Sequence, residues 1–226
     1  MPSIYETLLP FLSDERAARF QQVLDERTRH VSVVLENVFQ SRNASAVMRS
    51  CDGFGVQDVH LIEDINPWEM NRGVSKGTPR WLTLHRYRAA QDPTAACIEK
   101  LRASGHAIAV TSPHVDGYTI ENLPIDKPIA LVMGTEWEGV SPRMLEAADH
   151  HVLIPMRGFA ESLNISVAAA VAIHELIRRM RAEHPATAWQ LSEKERAELL
   201  DLWAFRSVRG ADAILRRAGL NRPEFV

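Results

Sequence analysis

The sequence predicts an α/β fold: a mostly parallel sheet flanked by helices, with helical extensions at both ends. Three observations predict it. Short apolar runs alternate with helical patterns between residues 31 and 182, and strands interleaved with helices provide the long crossovers that parallel pairing requires. Runs such as "VSVVL" from Val31 and "IALVM" from Ile129 are apolar nearly throughout, as in strands covered on both faces. The runs "PIALVMG" and "HHVLIPM" each lead into an irregular, glycine-bearing loop.

Taken in order, residues 3–26 are helical, with Leu8, Leu12, Ala17, Phe20 and Leu24 along one side. Strands are expected at 31–36, 57–62, 81–86, 106–111, 128–133 and 150–154. Helices are expected at 44–53, 88–104, 142–148 and 164–182. Ser141-Pro142 reads as a cap and a first helical turn, and Ser162 and Asn164 are good caps for the long helix. Past Pro185 the chain turns polar and then helical, an appended tail. The expected division is an N-terminal helical extension (1–29), a core (30–184) and a C-terminal helical tail (185–226). In open α/β sheets ligands gather at the carboxyl ends of strands, here just after Asn37, Thr111, Met133 and Ile154.

Composition narrows the function. None of the 226 residues falls in an apolar run long enough to span a membrane. The first 20 residues lack a basic segment and a small-residue cleavage site, so no signal peptide is expected. Cys51 and Cys97 stand outside any C-x-x-C spacing, which suits buried thiols in a reducing cytoplasm. The nine histidines show no metal spacing, and no metal is expected; His150-His151 reads as a strand edge. "GVSKGT" (Gly73 to Thr78) departs from phosphate-loop spacing and reads as a mobile basic loop. No G-x-S-x-G or G-x-G-x-x-G is present. Net charge is −3, yet residues 204–226 carry five arginines against two acids, a local +3. Arg16, Arg19, Arg27 and Arg29 lie near the other end. Charge alone admits solvated helical faces as readily as basic ends that grip RNA phosphates.

Three stretches could carry chemistry. "RNASAVMRSCDGFG" places Arg42 and Arg49 seven apart between two core strands. Its bland reading is an Arg49–Asp52 pair on a helix. "MGTEWEGVSPRML" brackets Thr135 to Glu138 with Gly134 and Gly139; alone it is a βα turn. "IPMRGFAESLNISVAAAVAIHE" leads into a helix that Ala168, Ala169, Ala170 and Ala172 leave nearly bare on one side. Alone, its Asn164 is a cap.

In this order, "LENVFQSRNASAVMRSCDGFGV", "LVMGTEWEGVS" and "IPMRGFAESLNISVAAAVAIHE" resemble the three motifs of the SpoU/TrmH branch of the SPOUT RNA 2′-O-ribose methyltransferases. The resemblance runs from residue 30 to residue 182, and the flanking helices are similar to those of the tRNA-methylating members. It implies a deep trefoil knot, a homodimer with each site bordered by the partner chain, and S-adenosylmethionine held around Thr111, Gly134, Ile154, Met156, Ser162 and Leu163. It implies catalytic roles for Asn43, Arg49, Glu136, Ser162 and Asn164. Arg42, Arg49, Lys76, Arg216 and Arg217 would meet RNA. The implied substrate is a tRNA ribose, guanosine 18 of the D-loop first. Ribosomal RNA, an anticodon-loop ribose, or a catalytically inactive RNA-binding knot protein stand as alternatives. Arg42 occupies a position where the tRNA enzymes often have His. Trp137-Glu138, Arg157 and Glu161 also depart from the usual pattern.

Overall fold

The structure, a computed structural model, describes residues 2–38, 40–65, 77–88, 91–112, 117–135 and 138–223. The chain forms two compact units, Met1–Arg27 with Gln190–Val226, and Thr28–Trp189. In chain order the elements begin with α1 (Ile4–Leu8), α2 (Asp14–Asp25), β1 (Val31–Glu36), α3 (Ser41–Phe54), β2 (Asp58–Ile62) and β3 (Thr83–Tyr87). There follow α4 (Pro93–Ala103), β4 (Ala107–Thr111), β5 (Tyr118–Thr119), β6 (Ile129–Met133), α5 (Pro142–Glu146) and β7 (His150–Leu153). The described chain closes with α6 (Ile165–Glu183), α7 (Ala186–Trp189), α8 (Glu193–Ser207) and α9 (Ala211–Arg217).

The larger unit holds a parallel sheet in the order β3-β2-β1-β6-β4-β7-β5. Strand side chains alternate between faces, and β1 shows the consequence. Val31, Val33 and Leu35 pack with Val47, Met48 and Cys51 of α3 and with Ala169, Ile173 and Leu176 of α6. Val34 points the other way, into a cluster with Cys97 and Leu101 of α4 and Met144 of α5. Each such buried aliphatic side chain is worth about 1.5–3 kcal/mol of transfer free energy. Two faces covered by helices explain why β1 and β6 are buried at every position.

Several expected boundaries move, each for a local reason. The helix expected over 3–26 breaks: Leu9–Phe11 form a 3-10 turn containing Pro10, and Ser13 caps α2 by accepting from Arg16 N at 3.2 Å. The helix expected at 44–53 begins at Ser41, so Arg42 and Asn43 belong to α3, which ends where Gly55 takes φ 88°. The helix expected from 88 starts at Pro93, because Asp92 caps it by accepting from Ala95 N. Thr78–Trp81 form a 3-10 turn and push the third strand to Thr83. β5 spans two residues, too short to leave a periodic signal. His150 and His151 begin β7 and pair with Ala109 and Val110 of β4, while the two residues of β5 pair only with Val152 and Leu153. Of the loop read as mobile and basic, residues 73–76 lie outside the described residues.

Arg179 shows how the long helix is tied down. It is buried, and its Nη1 donates to the carbonyls of Ile120 at 3.2 Å and Leu123 at 2.8 Å, while Nε donates to Glu183. In the smaller unit both chain ends build one helical cluster. Tyr5 N donates to Asp201 at 2.7 Å, Phe20 meets Trp203 edge-on, and Arg196 pairs with Asp25. Among the described residues no helix is long and apolar enough to cross a membrane, and no cluster of His, Cys, Asp and Glu could hold a metal ion.

Candidate active site

The sheet register lines up four strand ends. Leu35 pairs with Met133, Val110 with Val132, and Thr111 with Val152. Asn37, Ser112, Gly134 and Ile154 therefore leave β1, β4, β6 and β7 side by side. Asn37 takes a left-handed φ of 50°, a conformation that a short polar side chain tolerates best. Its Oδ1 accepts from the amides of Asp64 and Ile65, which fixes the chain leaving β2.

The loop after β6 is closed on itself. Thr135 N donates to Gly139 O at 2.8 Å, Gly139 N returns to Thr135 O at 3.2 Å, and Glu138 N donates to the Thr135 hydroxyl. A Cβ on Gly134 would lie 2.2 Å from Gly139 C, so the second motif needs glycine for close backbone approach. The loop ends at Ser141, whose Oγ caps α5 by accepting from Met144 N. Ser141 N also donates to Glu36 Oε2 at 2.9 Å and its hydroxyl to Glu36 Oε1 at 2.7 Å; Thr94 adds a third donor at 3.1 Å. Glu36 is buried and was not among the site residues expected from the sequence. Its signal was there: a carboxyl closing an apolar strand is costly unless something holds it.

The third motif meets the first. Asn164 caps α6, its Oδ1 accepting from the amide of Ser166 at 2.9 Å and the Ser166 hydroxyl at 2.6 Å. Its Nδ2 donates to Asn43 Oδ1 at 3.4 Å. α3 lies along α6 where Ala169 and Ala172 are fully buried, which accounts for the bare side of the alanine run. Arg42 and Arg49 are exposed, on one face of α3 because seven residues complete nearly two turns.

Among the described residues, no backbone–backbone hydrogen bond involves residues 155–163. Ile154 and Met156 are half-buried there, and Ser162 and Leu163 are exposed. The structure thus brings Thr111, Gly134 and Ile154 to adjacent strand ends, and Asn43 to Asn164. The Thr111 hydroxyl is already engaged with the Val132 carbonyl at 2.9 Å. Glu136 and Lys76 lie outside the described residues. Arg216 and Arg217 are exposed on α9 in the smaller unit.

The strongly shifted titratable groups lie elsewhere, around β2 and β3. Burial, then the neighbouring His85, depress His60 to about 3. Its Nδ1 sits 2.8 Å from the Tyr87 hydroxyl, and its ring stacks on His85 at 4.5 Å. Burial alone would raise Asp58, but the His85 hydrogen bond and the Arg29 charge outweigh it and hold the carboxyl low. Burial pushes the Cys97 thiol up to about 12.

Four aligned strand ends, an irregular loop after β7 and an exposed guanidinium on α3 define an α/β protein with a ligand site at the carboxyl edge of its sheet. The chain belongs to the SpoU rRNA Methylase family, whose profile matches residues 30–174. The resemblance carried by the three motifs is thereby confirmed. A tRNA (guanosine(18)-2′-O)-methyltransferase of Borreliella burgdorferi is 39% identical over 192 residues, 85% of each chain. One of Aquifex aeolicus is 30% identical over 86% of this chain and 91% of its own. The crystal structure of the A. aeolicus TrmH/SpoU tRNA modifying enzyme matches with a TM-score of 0.76 at 29% identity, over 87% of this chain and 98% of that one.

Proposed function

We propose that this protein transfers a methyl group from S-adenosylmethionine to a ribose 2′-hydroxyl of tRNA, at guanosine 18 in the D-loop. The carrying observation is the Asn164–Asn43 contact. It joins the helix that presents Arg49 to the loop that precedes α6. The names of the full-length relatives supply the nucleotide.

The residues present fit the cofactor. Amides of 156–163 and carbonyls of 155–163, which make no backbone–backbone bond among the described residues, offer hydrogen bonds, and Ile154, Met156 and Leu163 offer apolar surface. Gly134 lets the neighbouring loop pack tightly, and Thr111 contributes shape, its hydroxyl being occupied. When bound, S-adenosylmethionine supplies an electrophilic methyl group. The chain supplies alignment, which can account for much of the rate of a displacement. A guanidinium makes a poor general base, so the role proposed for Arg49 is positioning and charge. Its planar fork suits phosphate, and its charge stabilises the oxygen as the 2′-hydroxyl loses its proton. Asn43 orients Arg49 or the ribose, while Glu136, Ser162 and Asn164 shape the site. Arg42, Lys76, Arg216 and Arg217 hold RNA phosphates.

Two further features belong to this reading. β7 lies between β4 and β5, both earlier in the chain, which supports a threaded, trefoil-knotted core spanning residues 30–184 with helical extensions at 1–29 and 185–226. Phe159, Val167 and Val171 are exposed at the third motif and along α6, which supports a homodimer closing each site with its partner. The enzyme would work in the cytoplasm, where its two buried thiols stay reduced.

The test is methyl transfer to an unmodified tRNA transcript, with modified riboses mapped by mass spectrometry. Methylation at guanosine 18 is expected. Methylation of an anticodon-loop or ribosomal ribose instead would reassign the substrate. RNA binding without transfer, by protein that binds the cofactor, would favour an inactive RNA-binding role. Sedimentation should report a dimer, and Val171→Asp a monomer of low activity.

A further inference from the structure

Glu36 is the last residue of β1 and is buried. Burying a carboxyl there is costly, and an apolar side chain would close the strand more cheaply. Three donors hold it. Thr94 comes from the first turn of α4, and the amide and hydroxyl of Ser141 come from the start of α5. Ser141 is also where the loop after β6 ends. On the other side of Glu36 the chain turns at Asn37 and enters α3, which carries Asn43 and Arg49. One side chain therefore ties the foot of the RNA-facing helix to the foot of the loop that opens at Gly134.

We propose that Glu36 is a positioning residue for methyl transfer. By holding Ser141, it sets the distance between the backbone of 138–140 and the helix bearing Arg49. Asn37 works in the opposite direction, fixing the chain after β2 through the amides of Asp64 and Ile65. Glu36 touches neither RNA nor cofactor; it acts through Ser141. The inference rests on the reading that this loop helps to bind S-adenosylmethionine.

The experiment compares the full-length wild type with Glu36→Ala and Glu36→Gln. Calorimetry with S-adenosylmethionine, KM for cofactor and for tRNA, kcat and thermal unfolding are measured on each. If the wild type does not bind S-adenosylmethionine, the proposed function fails, and the positioning role with it. Given wild-type binding, Glu36→Ala is expected to weaken cofactor affinity and raise its KM on the order of tenfold, the scale of losing hydrogen bonds to a charged group. KM for tRNA should stay within about twofold, since phosphate contacts lie elsewhere. Glu36→Gln keeps an acceptor for Ser141 N and should recover most of the affinity. It also decides the matter should the alanine variant not fold. Lower unfolding temperatures with unchanged cofactor affinity in both folded variants would reduce Glu36 to a structural contact and overturn the proposal. So would equal losses for cofactor and tRNA.

Discussion

The side-chain amide of Asn164 donates to Asn43 Oδ1 at 3.4 Å, although 121 positions separate the two residues. Asn164 begins α6 and Asn43 lies in the first turn of α3, so one polar contact joins the first motif to the third. Asn164→Ala should remove both the contact and the cap. A lost cap costs about 1 kcal/mol, and the loop before it loses its anchor. Thermal unfolding should shift downward and calorimetric affinity for S-adenosylmethionine should fall. If both stay at wild-type values, the third motif does not form the cofactor loop.

Arg49→Ala should leave cofactor affinity nearly intact, because Arg49 is exposed on α3 rather than on the cofactor loops. Turnover should drop by about 100-fold or more, the scale of losing a charge-stabilising donor. Arg49→Lys should rescue little, since an ammonium lacks the planar fork. Single-turnover methylation alongside calorimetry separates the two effects; a parallel loss of cofactor binding would contradict the assignment.

Gly134→Ala tests close packing in the second motif. The added Cβ would meet Gly139 backbone at 2.2 Å, and backbone cannot yield as a flexible side chain does. The loop should open, with weaker cofactor binding and a lower unfolding temperature. Ala at Gly53, whose Cβ would have open space, is the control and should change cofactor binding little.

Acid should destabilise the protein through His60. Its folded value of about 3 lies below the ordinary 6.5, so the unfolded chain binds the proton first. The stability that neutral His60 contributes is complete above about pH 6.5 and declines as pH falls toward 3. By pH 5 the loss is about 2 kcal/mol. Asp58, held low by His85 and Arg29 against its burial, adds loss in the same direction below about pH 4. Denaturant unfolding from pH 8 to 5 should show this decline, and His60→Gln should flatten it. An equally steep curve in the variant would locate the acid sensitivity elsewhere.

Arg216 and Arg217 are exposed in the last helix. Changing both to Ala should weaken tRNA binding and make its salt dependence shallower, by about 0.7 to 0.9 log units per lost phosphate contact. Affinity for S-adenosylmethionine should not change. Unaltered tRNA affinity and slope across a salt series would leave this helix a solvated surface.

The sequence by itself determined the sheet class, because short, nearly continuous apolar runs such as Val31–Leu35, alternating with helical patterns, suit strands covered on both faces. It also determined the three motifs, since their residue types and spacing are local; the close approach of Gly139 backbone that requires glycine at position 134 appears only in the fold. It did not reveal β5, whose two residues carry no period, or the break at Pro10 inside a helical pattern. Three features were decided only by tertiary structure, because each pairs residues remote in the chain and depends on register. Asn43 meets Asn164 because α3 and α6 pack through small side chains. Glu36 meets Ser141 because the ends of β1 and β6 are neighbours. Tyr5 meets Asp201 because the two ends of the chain bury their apolar faces against each other. Periodicity tells which face of an element is apolar, but only the packed fold chooses what that face covers.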